Sequence, residues 1–196
     1  MRSQGVLSGL LAACVLLGGC SATPGIPQDL TPSTPSSTAT AAPVRVAAPV
    51  TVAIPSIGVN AKVEKIGLDS QDALDVTPLD AHVEDVGYYM NGPPPGAPGV
   101  SLLAAHINFN RKPGAFVHLA KVAVGDKIMV GRVDGTTATF TVTRTGVYPK
   151  TQFDSLGVYS PTPDPQLRLV SCGGILDVAH HNYLSNVIVW ASLDVP

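Results

Sequence analysis

Short runs of β-branched and apolar residues, separated by glycines and prolines, constrain the fold of this chain more than any other feature. Residues 50–54 form one such run and stop at Pro55, and Val59–Ile66 forms another, closed by Gly67. Runs of this length, bounded by residues that favour turns, are typical of β-strands. The pattern begins near residue 49 and continues to the end of the chain.

The rest of this region predicts further strands and little helix. They are expected at residues 100–106, 127–133, 140–144, 166–172 and 187–191. Residues 100–106 are almost wholly apolar, as in a strand buried on both faces. Asp134-Gly135 is a dipeptide typical of hairpin turns, and it separates two of the runs. One short helix is expected over residues 113–120. Many short strands with frequent turns indicate an all-β sandwich or barrel.

The beginning of the chain has the features of an export signal. Arg2 precedes an apolar segment over residues 6–17, which is shorter than the ~20 residues that a membrane-spanning helix needs. Leu17-Gly18-Gly19-Cys20 then resembles the bacterial lipobox, which directs lipid attachment to the cysteine thiol and cleavage before it. Residues 1–19 are therefore predicted to be a lipoprotein-type signal peptide, with Cys20 lipidated. An ordinary signal peptide or an uncleaved anchor is the alternative.

Two regions follow the signal. Residues 20–48 combine repeated prolines with Ser, Thr and Ala and show no apolar periodicity, so we expect a disordered linker. Residues 49–196 have the length of one domain that can bury a core. The net charge is -2 and no basic cluster occurs, which argues against nucleic acid as a partner.

Cys172 and His106 are the residues most suited to chemistry. Each ends an apolar run, and two glycines follow the cysteine, so we expect the thiol at the tip of a strand, held by a rigid support. A Cys/His pair that is adjacent in space indicates acyl transfer through a cysteine nucleophile. Each residue also has a simpler explanation, since a free cysteine is often a small core residue and a single histidine is often structural.

Several motifs, taken in order, resemble the bacterial sortases, and among these the actinobacterial class E or F. They are residues 52–59, 85–89, 104–108, 124–128, 148–150, 167–174 and 183–189. The resemblance covers nearly all of residues 49–191. It implies a closed eight-stranded β-barrel with one or two short helices, and a sortase catalytic domain over residues 49–196.

The resemblance also implies an activity. Sortases cleave a sorting signal of the Leu-Pro-x-Thr-Gly kind on surface proteins, hold the acyl part as a thioester, and transfer it to an amine on peptidoglycan or a pilin. Here Cys172 would be the nucleophile and His106 the general acid. Backbone N–H groups at Cys172 and Gly173 are expected to bind the oxyanion. No cofactor or metal is expected. The site would lie at the extracytoplasmic face of the cell membrane, attached through the lipid anchor.

The third catalytic residue of the family, an arginine, has no counterpart at the usual position in this chain. Well-known sortases carry an arginine on the strand after the cysteine, whereas no Arg or Lys follows Cys172 in this chain. Arg168 is the candidate for this arginine that best fits the family, because it lies on the cysteine's own strand and period-2 alternation puts it on the same face. Four residues correspond to ~13 Å, however, which is far for direct contact with an oxyanion. The alternatives are Arg111, Arg144, or a neutral imidazole at His180 or His181.

Two other functions remain open at this point. An L,D-transpeptidase also uses Cys and His, but its Ser-His-Gly-Cys type of motif differs from the Val170-Ser171-Cys172 found here. A non-catalytic sortase-like module that binds envelope proteins would explain the missing arginine. His180 and His181 could also bind a metal ion, although no third ligand is suitably spaced.

Overall fold

The fold is that of a computed structural model, which describes residues 45–195. Ten strands are present in this part of the chain: β1 (Pro49–Ile54), β2 (Val59–Ile66), β3 (Val86–Tyr89), β4 (Gly99–Ala104), β5 (Asn108–Phe109), β6 (Lys112–Pro113), β7 (Lys127–Arg132), β8 (Thr137–Pro149), β9 (Pro165–Asp177) and β10 (Asn182–Leu193). Short 3-10 helices occur at Pro55–Ile57, Thr77–Leu79, Leu119–Lys121, Lys150–Gln152 and Asp154–Leu156. No helix within residues 45–195 has the length and apolar character needed to cross a membrane.

Eight of the strands close into a barrel, as predicted. The order around it is β1-β2-β3-β4-β9-β10-β8-β7, and β7 pairs again with β1. The β2–β3 and β4–β9 pairs are parallel, and the other pairs are antiparallel. Strands β5 and β6 form a separate two-stranded hairpin. The parallel β4–β9 pair aligns the carboxyl ends of two strands that are distant in sequence.

Apolar side chains pack on both sides of part of the barrel wall. The interior contains residues such as Val52, Leu103, Phe140, Leu169 and Val189. A second cluster covers the outer face of β4, β9 and β10 and comprises Ile66, Leu102, Ala104, Val158, Val170, Ile188 and Trp190. These strands are buried on both faces, which explains their continuous apolar runs.

Two local predictions were wrong. The helix expected over residues 113–120 is absent; this segment contains part of β6, a series of turns and the start of a 3-10 helix. Its backbone is paired with distant residues, because Ala115 N donates to Val83 O and Phe116 N donates to His106 O. Those long-range hydrogen bonds replace the i→i−4 bonds of a helix.

Strand β9 also continues beyond the position at which the sequence predicted its end. It runs through both glycines to Asp177, paired with β10. Gly174 has a φ of +75°, and the register of the β9–β10 pair shifts between Tyr183 and Ser185. Gly173 is therefore paired with Ser185 and Gly174 lies in a bulge of a long hairpin, so no turn follows directly after Cys172.

Candidate active site

Cys172 lies on β9, and His106 lies two residues beyond the end of the neighbouring strand β4. The last aligned pair of the parallel β4–β9 ladder is Ala104 with Val170, and each candidate residue lies two positions beyond it. The alignment is held past the end of β4, because Ala105 N donates to Val170 O at 3.3 Å and Ser171 Oγ donates to Ala105 O at 2.8 Å. Cys172 carries a free thiol and is partly buried.

The imidazole of His106 is held by neighbours from three other segments. Its Nε2 atom lies 2.9 Å from Oδ1 of Asp80, and its side chain is 14% exposed. The ring of Phe109 stacks on it, with the ring centroids 5.3 Å apart and the planes inclined by 23°. Behind it, Gly114 lies so close that an added Cβ atom would stand 2.2 Å from His106 O. Glycine is therefore required there for close approach, and the imidazole has a defined position.

A cavity of about 400 Å³ opens on one side of the pair, and we call it the loop cavity. Cys172, His106 and Asn186 line it on the barrel side. The covering segments contribute a mostly apolar set around the remaining wall, which includes Leu74, Val76, Phe153 and Tyr159, with Gln71, Asp72 and Lys150 at polar positions. A further cavity of about 770 Å³ shares Asp72 and Tyr159 with it.

Cys172 and His106 also line another cavity, of about 690 Å³, which we call the hairpin cavity. The β5–β6 hairpin and the β9–β10 turn form its walls. Its polar lining residues are Asn108, Asn110, Arg111, His181, Asn182 and Tyr183. Asn108 Nδ2 donates to Tyr183 Oη at 2.7 Å, which connects the two walls.

Two histidines, His180 and His181, lie in the turn between β9 and β10. His181 lines the hairpin cavity together with Cys172 and His106. Its φ of +49° lies in the left-handed region, which costs a non-glycine residue roughly 1–2 kcal/mol. Backbone strain of this kind clusters at functional sites. His180 instead faces Asp177, with its Nδ1 2.7 Å from Oδ2. That contact, together with hydrogen bonds from the backbone of the turn, lowers the pKa of Asp177 below its usual value.

Gly173 and Arg168 both lie outside these two cavities. Gly173 is buried beneath β10, where an added Cβ atom would stand 2.5 Å from Val187 Cγ2. Arg168 is only 5% exposed and pairs across the sheet with Trp190, its Cζ lying 6.0 Å from the ring centroid. Its Nη2 donates to Gln166 Oε1 at 2.5 Å and its Nη1 to Leu167 O at 3.2 Å. These contacts direct the guanidinium away from Cys172, towards the start of β9.

The environment of Arg168 is also electrostatically unfavourable. Burial, and secondarily the positive charge of Arg144, lower the pKa of Arg168 to about 10. Arg144 lies on the same indole, with its Cζ 4.2 Å from the Trp190 ring centroid. No salt bridge to Arg168 is found within residues 45–195. The two arginines thus share one aromatic ring on the outside of the barrel.

The sequence interpretation missed Asp80, Asn108 and Asn186. Asp80 lies 26 residues before His106 in a loop, so no periodic pattern connects the two. Asn186 faces Cys172 across β9 and β10, and the pairing register was needed to identify it. Cys20, the proposed signal and residues 20–44 of the proposed linker lie outside the described residues. Within residues 45–195, no three His, Cys, Asp or Glu side chains are grouped so that they could hold a metal ion.

The comparisons with known proteins agree with the fold and the family motifs. The model of the sortase domain matches residues 52–194. No curated protein matches the chain.

Several solved structures share the fold. A lid mutant of sortase A from Corynebacterium diphtheriae is 19% identical, with a TM-score of 0.57, and the match covers 76% of this chain and 70% of that chain. Sortase C-1 from Actinomyces oris is 24% identical, with a TM-score of 0.57, over 76% and 75% of the two chains. A sortase D5 transpeptidase from Clostridium perfringens is 17% identical, with a TM-score of 0.56, over 76% and 79%.

Proposed function

The chain belongs to the sortase family, and on this premise we propose that it is a cysteine transpeptidase with Cys172 as its nucleophile. The observation that carries the proposal is that Cys172 on β9 and His106, two residues beyond the end of β4, both line the same two cavities. A thiol and an imidazole that face the same cavities are the two groups that acyl transfer through a thioester requires.

The first half of the reaction cleaves the donor peptide. The thiolate of Cys172 attacks the carbonyl carbon of the scissile bond, because the neutral thiol is a poor nucleophile. A tetrahedral oxyanion forms, and the C–N bond then breaks. The protonated imidazole of His106 gives its proton to the departing amine, which leaves an acyl thioester and a neutral imidazole.

The second half returns the enzyme to its starting state. An acceptor amine attacks the thioester carbonyl and loses its proton to His106. The C–S bond breaks, Cys172 leaves as the thiolate, and a new amide bond has formed. The net result is the exchange of one amine for another, so no oxidant, metal or cofactor takes part.

The two cavities suit two different substrates. The loop cavity has apolar walls at Leu74, Val76 and Phe153, which fit the Leu and Pro side chains of a Leu-Pro-x-Thr-Gly-like sorting signal. It shares the lining residues Asp72 and Tyr159 with the neighbouring cavity, which is assigned to the remainder of an extended peptide. The hairpin cavity, with its polar walls, is the proposed approach for the leaving and incoming amines of peptidoglycan or a pilin.

Oxyanion stabilisation is assigned to groups near Cys172. His181 lines the hairpin cavity with both reacting side chains, and as a neutral imidazole it can donate a hydrogen bond. The backbone N–H of Cys172 remains a proposed partner of the same oxygen, whereas Gly173 is buried beneath β10 outside both cavities and is not assigned to it. Arg168 is assigned a structural role, because its hydrogen bonds and its contact with Trp190 hold it in the outer wall of the barrel.

The proposal extends to the class and location of the enzyme. The motifs of residues 104–108 and 167–174 support membership of the actinobacterial class E or F. The lipobox-like Leu17-Gly18-Gly19-Cys20 supports lipid attachment at the extracytoplasmic face of the membrane, with residues 20–48 as a tether. The membership of the sortase family removes the basis for the L,D-transpeptidase alternative.

A peptide-exchange assay tests the proposed function. The full chain would be incubated with a library of Leu-Pro-x-Thr-Gly-like peptides and a small amine, and the amide product identified by mass spectrometry. We expect product with the unmodified chain and with Cys20→Ala, and no product with Cys172→Ala. Equal product from the Cys172→Ala variant would exclude Cys172 as the nucleophile, and no product from any peptide with the unmodified chain would favour a non-catalytic binding module.

A further inference from the structure

Asp80 makes the one hydrogen bond to the imidazole of His106 in the described structure, and no step of the proposed acyl transfer requires it. We propose that Asp80 is a positioning residue that orients the ring of His106 and selects its tautomer, an inference that rests on the proposed function. The distance from His106 Nε2 to Asp80 Oδ1 is 2.9 Å. At neutral pH a carboxylate only accepts hydrogen bonds, so the proton of this bond resides on Nε2.

The consequence concerns the other ring nitrogen. When the imidazole is neutral and Nε2 carries its single proton, Nδ1 has a free lone pair. Nδ1 is then the atom that gives a proton to the leaving amine and takes one from the incoming amine. When Nδ1 is protonated, the imidazolium charge is stabilised by the carboxylate on the opposite side of the ring.

Asp80 is itself well held. It follows the 3-10 helix Thr77–Leu79, and its backbone N–H donates to Thr77 O at 3.0 Å. Leu79 is fully buried and fixes this turn to the protein. The carboxylate is 37% exposed, so it can approach His106 without the cost of complete burial.

The stacking of Phe109 complements this contact. Phe109 restricts the plane of the imidazole, whereas Asp80 restricts its rotation within that plane. Together they leave one orientation of the ring. Since small errors in the position of a reacting group reduce the rate strongly, the loss of either restraint would affect turnover more than substrate binding.

The test compares Asp80→Asn with Glu84→Gln, which removes one acidic charge from an exposed side chain of the same segment. In the full chain we expect Asp80→Asn to lower kcat by at least about 10²-fold with KM changed less than about threefold, since an amide does not select the tautomer. Glu84→Gln should leave both constants unchanged. Asp80→Glu, which restores a carboxylate, should recover part of the lost kcat. Thermal denaturation would establish that each variant is folded.

Nitrogen-15 NMR of the histidine ring gives a second readout that does not depend on turnover. The neutral ring of His106 should show a protonated Nε2 in the unmodified chain and a changed tautomer population in Asp80→Asn and Asp80→Ala. Identical ring signals in all three proteins, or an unchanged kcat in a folded Asp80→Asn variant, would overturn the inference. If the unmodified chain formed no thioester, the proposed function would fail while the NMR comparison would still decide the role of Asp80.

Discussion

Gly114 lies directly against the backbone of His106: a Cβ atom added at Gly114 would stand 2.2 Å from the carbonyl O and 2.6 Å from the carbonyl C of His106. The close approach allows the chain after the β5–β6 hairpin to support the histidine, since Phe116 N donates to the same carbonyl oxygen. Any side chain at residue 114 must therefore displace the strand end that carries the imidazole.

The substitution Gly114→Ala should consequently impair activity through the position of His106. Overpacking of this kind costs about 1–3 kcal/mol, and we expect kcat/KM for peptide cleavage to fall at least about tenfold. Gly67→Ala is the matched control, because an added Cβ atom there meets only Met90 Cε, at 3.9 Å. If the two variants cleaved the peptide equally well, the tight packing behind His106 would have no catalytic importance.

His106→Ala should remove the proton donor and leave the barrel intact. General acid–base catalysis typically contributes about 10²–10⁴-fold, and kcat should fall by that amount. Alkylation of Cys172 by iodoacetamide, followed by peptide mapping, should also slow, because the thiolate loses its counter-charge. His118→Ala alters an exposed histidine and should change neither rate. Unchanged alkylation and turnover in His106→Ala would separate the histidine from the chemistry.

Arg168→Met and His181→Ala should affect different properties. Arg168 is buried on Trp190, and replacing a buried charge with an apolar side chain of similar size is often neutral, so we expect stability to change by about 1 kcal/mol or less and turnover to persist.

His181→Ala should lower kcat by about 10–10²-fold, since it removes a donor from the site. Urea denaturation and steady-state kinetics would measure both effects. If Arg168→Met abolished turnover while His181→Ala did not lower it, Arg168 would be assigned to the active site.

The pH dependence of stability should include a contribution from Asp194. Hydrogen bonds from Lys127, at 2.8 Å, and from Thr141 lower the pKa of Asp194 below its usual 3.8. Since the pKa is depressed in the folded state, this contribution is present above pH 3.8 and is lost as the pH falls through the folded value. Asp194→Asn should therefore lower Tm at pH 7 and have a diminishing effect towards pH 2. A constant Tm difference across that range would contradict this assignment.

Seven of the eight barrel strands could be predicted because their signals are local, whereas the four-residue strand β3 (Val86–Tyr89) was missed. The run in β2 and the hairpin at Asp134-Gly135 depend on alternation and turn residues within a few positions. Closure of the sheet depends instead on the pairing of β1 with β7, strands separated by more than seventy residues, and only the family resemblance indicated it.

The surroundings of the site were harder to predict because they depend on distant contacts. Asp80 is a loop residue whose partner is set by tertiary structure, and residues 113–120 form turns because their N–H groups find acceptors far away in sequence. Gly173 and Gly174 suggested a turn, yet they lie within β9, where Val187 and Ser185 leave no room for a larger side chain. A glycine can indicate either a turn or a close approach between strands, and the residue type alone does not distinguish the two.

The most direct test of the account is the capture of the acyl intermediate. The full chain would be mixed with a cleavable sorting-signal peptide in the absence of an added amine, quenched in acid and mapped by mass spectrometry. We predict an acyl adduct on Cys172 that hydroxylamine releases and that forms at least about 10²-fold more slowly when His106 is replaced by Ala. An adduct at another residue, or peptide cleavage that proceeds in Cys172→Ala, would contradict the assignment of this thiol as the nucleophile.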